Sequence, residues 1–444
     1  MSYIPNILFA ILLFIGVGFF ARNVKKLIRN IRLGQKINRS DNSSKRWKNM
    51  INIALGQSKM VRRPVAGFLH IIVYVGFVII NIEVLEIIID GLFGTHRVFS
   101  FAGGLYNFLI GSFEILAFLV LVSVIIFWIR RMIIRIPRFW NKEMTAWPKN
   151  DALYILYFEM VLMSLFLLMN AADYSLQQMG VIHYVQAGSF PISSYIANWL
   201  PQNEMTLFYI ERSAWWIHII GIFTFLNYLY YSKHLHILLA FPNTFYANLK
   251  PQGQLSNLES VTNEVKLMLD PNADPFAAPA EIDSAEEMPE KFGASDVTDL
   301  NWVQLMNAYT CTECGRCTSV CPANQTGKEL SPRAIMMKTR DRLEEVGEII
   351  DSSSIEVFKE KGDGKSLLST ITNEEIWACT SCNACVTECP INIDPLSIII
   401  DLRRYLVMEQ SSAPQELNAM MTNIENNGAP WQYNQMDRLN WKDE

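Results

Sequence analysis

The eight cysteines of this 444-residue chain are the residues best suited to chemistry, and all of them fall in two copies of one pattern. The first copy reads CTECGRCTSVCP and the second reads CTSCNACVTECP. Each copy spaces its cysteines as C-x2-C-x2-C-x3-C-P, a run whose thiolates bind a four-iron [4Fe–4S] cluster. Two complete runs with no cysteine left over predict two such clusters.

These runs resemble the signature of bacterial-type ferredoxins, in which the fourth cysteine of each run binds the cluster of the other run. Three closely spaced thiolates surround three corners of a cubane, and the proline turns the chain so that the fourth points elsewhere. The predicted ligand sets are Cys311, Cys314, Cys317 and Cys389 for one cluster, and Cys379, Cys382, Cys385 and Cys321 for the other.

Zinc and disulfides are the alternatives for these cysteines. Structural zinc usually takes its four ligands as two separated pairs, which leaves the fourth cysteine of each run without a role. Eight cysteines in 444 residues are too sparse for a disulfide-stapled secreted scaffold. Disulfides are also rare on the reducing cytoplasmic side, to which the topology below assigns this region.

A predicted helix follows each cysteine run. Ser331-Pro332 and Asp394-Pro395 both place a favourable N-cap residue before a proline at the first helical position. The runs start 68 residues apart, which leaves room for helices between them. The region therefore resembles the α-helical ferredoxin domain of heterodisulfide reductase C-type subunits and of succinate dehydrogenase iron–sulfur subunits.

The six histidines all precede residue 240, and three of them suit a haem site. His218 and His236 are 18 residues apart, which is five helical turns, so a continuous helix would place them on one face at different membrane depths. His234 would point roughly 200° away from that face. Two neutral imidazoles from facing helices can fill both axial positions of a haem iron. A lone membrane histidine is, however, often only a packing residue.

Two stretches resemble the γ-subunit family of nitrate reductase, whose members are dihaem cytochromes b. The stretch HIIGIFTFLNYLYYSKHLH resembles the last helix of that family, and GFLHIIVYVGF resembles its second helix. The resemblance implies that His70 and His236 bind a cytoplasmic-side b haem. The family's other second-helix histidine is replaced by Ile80, so His218 would need a different partner, for which His96 is the first candidate and His183 the weaker one. Otherwise His96 and His218 are interfacial polar residues.

Five stretches have the length and apolar character of membrane-spanning helices: residues 5–21, 64–82, 104–129, 152–172 and 213–232. A basic stretch follows the first one, which favours an uncleaved helix over a signal peptide. About half of all residues in the chain are hydrophobic, which is an ordinary value, but the apolar residues are concentrated in the first 245 positions. Acidic side chains at the outer end of the second span suit either the uptake of quinol protons or ordinary interfacial solvation.

The Lys and Arg residues are distributed unevenly between the loops. Loops 21–63 and 130–150 hold 13 and six of them, whereas loops 91–103 and 172–212 hold one each. Because positively charged loops stay cytoplasmic, the N-terminus is predicted outside and the chain after about residue 240 in the cytoplasm, at the inner membrane. This topology explains the basic loops without nucleic acid, and the net charge of −5 agrees.

The predicted fold class is all-α, with a five-helix cytochrome b-like transmembrane bundle and a cytoplasmic α-helical ferredoxin domain. The predicted divisions are residues 1–245 for the haem b domain, 246–300 for an acidic proline-containing linker, 301–410 for the two-cluster domain and 411–444 for a polar tail. The linker prediction rests on its many prolines among acidic and small residues.

A cytochrome b-like anchor with two four-iron clusters predicts an electron-transfer subunit between a menaquinone-type pool and a cytoplasmic redox partner. The combination resembles heterodisulfide-reductase-like membrane complexes, in which a cysteine-rich subunit with CCG-type motifs completes the site. The resemblance implies that such a subunit, or a flavoprotein, docks on residues 301–444 and carries the terminal chemistry. No catalytic residue is assigned in this chain. The alternative is a membrane-anchored iron–sulfur redox sensor or assembly anchor without turnover.

Overall fold

A computed structural model describes residues 3–271 and 291–443 of the chain. Within these ranges the chain forms helices and no β-strand, and Gln35 and Asn301 form an isolated parallel β-bridge. The predicted all-α class is confirmed.

The first part of the chain folds into long helices joined by short 3₁₀ or π turns. Proline stands in the first turn of three of the long helices, where its missing N–H costs nothing. The helices are α1 (Ile4–Ile31), α2 (Ser43–Met50), α3 (Pro64–Phe93), α4 (Gly104–Met132), α5 (Trp147–Gln178), α6 (Ser193–Ala197), α7 (Glu204–Tyr228) and α8 (His236–Phe245). The short turns are Ile51–Leu55, Met60–Arg62, Val98–Ala102, Pro137–Phe139, Lys142–Met144, Leu229–Tyr231 and Lys233–Leu235.

Four of the described helices, α1, α3, α4 and α5, are long and apolar enough to cross a membrane. They coincide with the first four predicted spans. The fifth predicted span falls on α7, which has 25 residues but carries Glu211, Arg212 and His218 and is too polar to meet the same criterion. It nevertheless packs against α5 and α1 within the same bundle.

The bundle has its own apolar core, built from α3, α4, α5 and α7 around residues such as Ile110, Phe166 and Ile219. Helix α1 packs on α3 and α7 but leaves most of its apolar side chains uncovered, and Phe14 is 76% exposed. Uncovered apolar faces of this kind suit contact with lipid rather than water.

The fifth span is not one continuous helix, so the prediction that His218 and His236 share a helix face across five turns is wrong. Helix α7 ends at Tyr228, two 3₁₀ turns follow, and α8 begins at His236. Between them Ser232 is extended, with φ −109° and ψ 150°, and its Oγ accepts a hydrogen bond from the His234 N–H. As a result His234 does not point away from His236, and their ring centroids are 5.6 Å apart.

The second part of the chain contains shorter helices. One of them lies in the predicted linker, and the others form and follow the cysteine region. They are α9 (Glu259–Leu269), α10 (Trp302–Thr310), α11 (Arg316–Val320), α12 (Pro322–Gln325), α13 (Pro332–Ser352), α14 (Ile355–Lys361), α15 (Asn373–Trp377), α16 (Ala384–Glu388), α17 (Pro395–Met408) and α18 (Gln415–Asn427). Two 3₁₀ turns, Leu367–Ser369 and Gln435–Lys442, complete it.

The two predicted helix starts after the cysteine runs are confirmed. Ser331 caps α13 by accepting a hydrogen bond from the Ala334 N–H at 3.3 Å. Asp394 caps α17 by accepting one from the Ser397 N–H at 3.0 Å. Each cap is followed by proline at the first helical position, as the sequence predicts.

The core of the cysteine region extends beyond the predicted domain boundaries. Val297 and Leu300, at the end of the predicted linker, are fully buried in it. Leu27 from α1 and Leu235 from the turn before α8 belong to the same core, so the bundle and the cysteine region share apolar packing. The middle of the predicted linker, residues 272–290, lies outside the described residues.

Candidate electron-transfer site

The two cysteine runs adopt the same backbone. In each run the residue before the second cysteine, Glu313 or Ser381, has a positive φ of 51° or 56°. The residue after the second cysteine, Gly315 or Asn383, also has a positive φ, of 70° or 59°. A five-residue helix then leads to the fourth cysteine in both copies. The runs are therefore a structural repeat as well as a sequence repeat.

Gly315 is required by space as well as by backbone conformation. A Cβ atom built at this position would lie 2.5 Å from Nη1 of Arg333. The Arg333 side chain is fully buried, donates a 2.7 Å hydrogen bond to the Arg138 carbonyl and pairs with Glu143. The first run is thus held against the loop between α4 and α5, on the membrane bundle.

The short helices that end the two runs, α11 and α16, pack against each other and bring the fourth cysteine of each run towards the other run. The Cys389 thiol interacts electrostatically with the thiols of Cys311, Cys314 and Cys317. The Cys321 thiol interacts in the same way with Cys379 and Cys385. This is the grouping that the crossing rule predicts, and ligation itself remains a prediction.

The chemistry of these thiols suits iron binding. Burial raises the pKa of Cys311 to about 12 and that of Cys389 to about 11, so both thiols carry protons at neutral pH unless a metal replaces them. Backbone amides already point at two of the sulfur atoms: the Ile393 N–H donates to Cys389 Sγ at 3.3 Å and the Ser381 N–H to Cys379 Sγ at 3.4 Å. Hydrogen bonds to the sulfurs are one of the ways in which proteins set cluster potentials.

Among the described residues, no three His, Cys, Asp or Glu side chains are close enough together to hold a single metal ion. The ligands of a cubane cluster are spread more widely than those of one ion, because each thiolate binds a different iron atom. The eight cysteines therefore fit two clusters by residue type, grouping and amide hydrogen bonds.

A basic segment just before α3 contacts both cysteine runs. Arg63 pairs with Glu388 at 2.8 Å and donates a 3.0 Å hydrogen bond to Ser319 Oγ. Arg62 donates to the Thr387 carbonyl at 3.0 Å. The positive charges would offset the negative charge of thiolate-bound clusters. The same segment leads into α3 and reaches His70 seven residues after Arg63.

The structure brings the rings of His70 and His236 close together. Their ring centroids are 6.5 Å apart and their planes are inclined by 36°. Metal–nitrogen bonds of about 2 Å on both sides of one iron would place the two ring centroids roughly 6 Å apart. Nδ1 of His236 is 3.1 Å from the Lys233 carbonyl oxygen, which fixes that nitrogen and leaves Nε2 for a metal. The separation of the two rings is therefore the one expected for two histidines that hold one haem iron.

Lys233 links this histidine pair to the first cysteine run. It lies in the 3₁₀ turn before His236, and its buried ammonium group forms an ion pair with Glu313, between Cys311 and Cys314. Glu313 is also paired with Arg340, at 2.7 Å. Sequence reasoning missed both Lys233 and Glu313. A lysine directly after an uncharged span and an acid inside a cysteine run were the only signals.

His96 and His218 are not brought together as a facing pair. Nε2 of His96 lies 3.2 Å from Asp173 Oδ1, and its Nδ1 accepts a hydrogen bond from the Val185 N–H at 3.1 Å, so both ring nitrogens are engaged. The His218 ring packs against Phe166 with centroids 6.0 Å apart. A second haem held by His96 and His218 stays a prediction.

Comparisons with known proteins agree with the cysteine chemistry. The family described as 4Fe-4S dicluster domain matches residues 310–393. No solved structure matches the chain.

Three relatives of known name share longer stretches. "Probable iron-sulfur-binding oxidoreductase FadF" of Bacillus subtilis is 31% identical over 99% of this chain and 61% of its own length. "EtfAB:quinone oxidoreductase" of Syntrophomonas wolfei is 25% identical over 92% of this chain and 55% of its own length. One subunit of the dihydromethanophenazine:CoB–CoM heterodisulfide reductase of Methanosarcina mazei is 27% identical over 35% of this chain and 37% of its own length.

This chain spans less than two thirds of the length of the two relatives that cover it almost fully. All three relatives are named as oxidoreductases or reductase subunits. Together with the matched dicluster domain, they confirm that this chain is similar to the heterodisulfide-reductase-like iron–sulfur oxidoreductases, as the cysteine runs predict.

Proposed function

We propose that this chain is a membrane-bound electron-transfer subunit that passes electrons between a menaquinone-type pool and a cytoplasmic redox partner. The residues that serve it are His70 and His236 for one b haem and the eight cysteines for two [4Fe–4S] clusters. When bound, these groups supply one-electron carriers. The observation that carries the proposal is the close pair His70–His236, which lies where the helical bundle meets the first cysteine run.

The protein's own residues would do three things in this function. His70 and His236 would hold the haem iron through their two imidazoles, and a haem held in this way would supply one-electron transfer. Lys233 and Glu313 hold the histidine turn and the first cysteine run at a fixed separation. The basic segment before α3 counters the negative charge of both clusters.

The exposure of the two cysteine runs supports a direction for the path. Two of the proposed ligands of the first cluster, Cys311 and Cys389, are buried, whereas Cys382 of the second cluster is exposed. The second cluster would therefore lie nearer the surface, and it is the proposed exit to the soluble partner. That partner would be a cysteine-rich subunit with CCG-type motifs or a flavoprotein that docks within residues 301–444.

The names of two relatives support the proposal. One is an EtfAB:quinone oxidoreductase, which supports the role of quinone, and another is a reductase subunit, which supports assembly with other subunits. The charge distribution of the loops supports an inner-membrane location with the cysteine region in the cytoplasm. The proposed divisions are a bundle of residues 1–245 and a cysteine region that begins by residue 294, because Ala294, Val297 and Leu300 are in its core.

The test uses the purified complex. Iron and haem analyses are expected to give nine irons per chain, eight of them in the two clusters and one in haem b. Dithionite should produce the haem absorption bands, and a menaquinone analogue should then reoxidise the haem. A complex that contains haem but is not reoxidised by any quinone would refute the quinone role. A chain that carries clusters without haem would instead favour a redox sensor or anchor.

A further inference from the structure

A cavity of about 570 Å³ lies at the end of the bundle farthest from the cysteine region. It is formed where the C-terminal parts of α3 and α5 meet the start of α1 and the N-terminal half of α7. Glu83, His96, Asp173 and Trp215 are among the residues that line it. The volume lies within the range of small-molecule sites. Neither the cysteines nor the His70–His236 pair belong to it.

Most of the acidic side chains that line this cavity have their hydrogen-bonding needs met. Glu86 accepts hydrogen bonds from the Phe99 N–H and the Tyr106 hydroxyl, both at 2.8 Å. Asp90 accepts one from the Arg97 N–H at 2.7 Å. Asp173 is paired with Arg97 at 2.6 Å. Glu211 likewise accepts a hydrogen bond from the Tyr184 hydroxyl at 2.9 Å.

Glu83 is the exception. Its side chain lines the cavity and is only 3% exposed, yet its Oε2 atom has no hydrogen-bond partner among the described residues. The charged groups that act on it are Arg97, Glu86, Glu114 and Asp173. A buried carboxyl oxygen without a partner is costly, and intramembrane ionisable groups are usually functional. Glu83 is therefore available to a ligand in the cavity.

The remaining walls suit a flat aromatic ligand. The Trp215 ring packs against Trp216 and Phe9, with centroid separations of 5.1 and 5.5 Å. At the rim, Tyr3 and Phe93 are 75% and 76% exposed, which gives the entrance an apolar edge. An aromatic wall, a free carboxyl group and an apolar rim fit a lipid-soluble ring that carries hydroxyl groups.

We infer that this cavity is the quinone site, with Glu83 as the group that exchanges protons with the quinol, on the membrane face opposite the clusters. The inference rests on the proposed function. It adds the position of the quinone site and the movement of electrons across the membrane during turnover. In quinol oxidation both O–H bonds break, two protons pass through Glu83 to water on that face, and two electrons leave one at a time towards His70 and His236. Quinone reduction is the same sequence reversed.

The position of Glu83 gives this reaction an electrical consequence. Glu83 and His70 are 13 residues apart on the continuous helix α3, which is about 20 Å along its axis. Electrons would therefore cross most of the apolar layer, while the protons stay on the far face. Turnover is electrogenic: quinol oxidation makes the face with the cavity positive relative to the face with the clusters.

The experiment uses the whole complex in vesicles that contain menaquinol, with a pH indicator in the lumen and ferricyanide, which does not cross the bilayer, outside. Only complexes whose clusters face outwards can then turn over. Valinomycin and potassium collapse the membrane potential so that proton release can be measured. Glu83→Gln tests the carboxyl group, and Glu159→Gln is the matched control because Glu159 is an intramembrane acid of α5 outside the cavity.

We expect about two protons to appear in the lumen for each quinol oxidised by the wild type and by Glu159→Gln. Glu83→Gln should lower the rate at least tenfold, with haem content and dithionite-reduced spectra unchanged. Protons that appear outside, or a Glu83→Gln rate equal to the wild-type rate, would overturn the inference and leave the proposed function standing. A wild type that oxidises no quinol would overturn both.

Discussion

Lys233 forms a buried ion pair with Glu313, eighty residues later in the chain, and this contact joins the turn before His236 to the first cysteine run. The backbone carbonyl of Lys233 also faces Nδ1 of His236, at 3.1 Å. Glu313 in turn occupies a left-handed position, φ 51°, between two cysteines of the first run. One residue thus contacts the proposed haem ligand through its backbone and the proposed cluster loop through its side chain.

Removal of this ion pair should destabilise the junction. In Lys233→Met the buried Glu313 keeps Arg340 as its one ion-pair partner among the described residues, and loss of one partner of a buried pair costs about 3 kcal/mol. We expect the temperature at which the cluster absorbance is lost to fall by roughly 6–12 °C. The double variant Lys233→Met/Glu313→Gln should lose less than the sum of the two single variants. Strict additivity would show that the two side chains do not interact.

The crossed cysteine grouping predicts which cluster each substitution damages. Cys389→Ser should disturb the same cluster as Cys314→Ser, although Cys389 belongs to the second run, because its thiol lies beside the first run. Cys321→Ser should likewise match Cys382→Ser. Electron paramagnetic resonance of the reduced protein can compare the four variants. If Cys389→Ser instead resembles Cys382→Ser, each run binds its own cluster and the crossing rule does not apply.

Gly315→Ala should impair assembly of the first cluster. Its backbone is left-handed, and the added methyl group would lie 2.5 Å from the buried Arg333 guanidinium. We expect a clear loss of iron after purification. Gly327→Ala is the matched control because its φ is also positive, at 85°, but nothing lies within 4 Å of the added atom. Equal iron content in both variants would show that the contact with Arg333 does not matter.

The sequence was sufficient where local chemistry decides the structure. The helix starts at Ser331 and Asp394 follow from capping side chains next to prolines, and both occur as predicted. The apolar stretches likewise predict the long helices of the bundle, because length and composition are local properties. The grouping of the fourth cysteines follows the known behaviour of the ferredoxin run.

Long-range contacts explain where the sequence was insufficient. The break before His236 is not encoded by a proline or glycine in the chain between Tyr228 and His236, and Lys233 in this segment forms contacts with residues eighty or more positions away. Val297 and Leu300 lie in an acidic, proline-containing stretch, yet they are buried in the core of the cysteine region. His96 is a suitable haem ligand by type, but Asp173 and Val185 engage both of its nitrogens.

The most direct test of electron flow from quinol through the haem site to the clusters is rapid reduction of the clusters by menaquinol in the wild type and in His70→Ala. We expect His70→Ala to keep its cluster iron and to lose haem. The rate at which menaquinol reduces its clusters should fall at least tenfold, while dithionite still reduces them. Clusters in haem-free His70→Ala that menaquinol reduces at the wild-type rate would contradict this path.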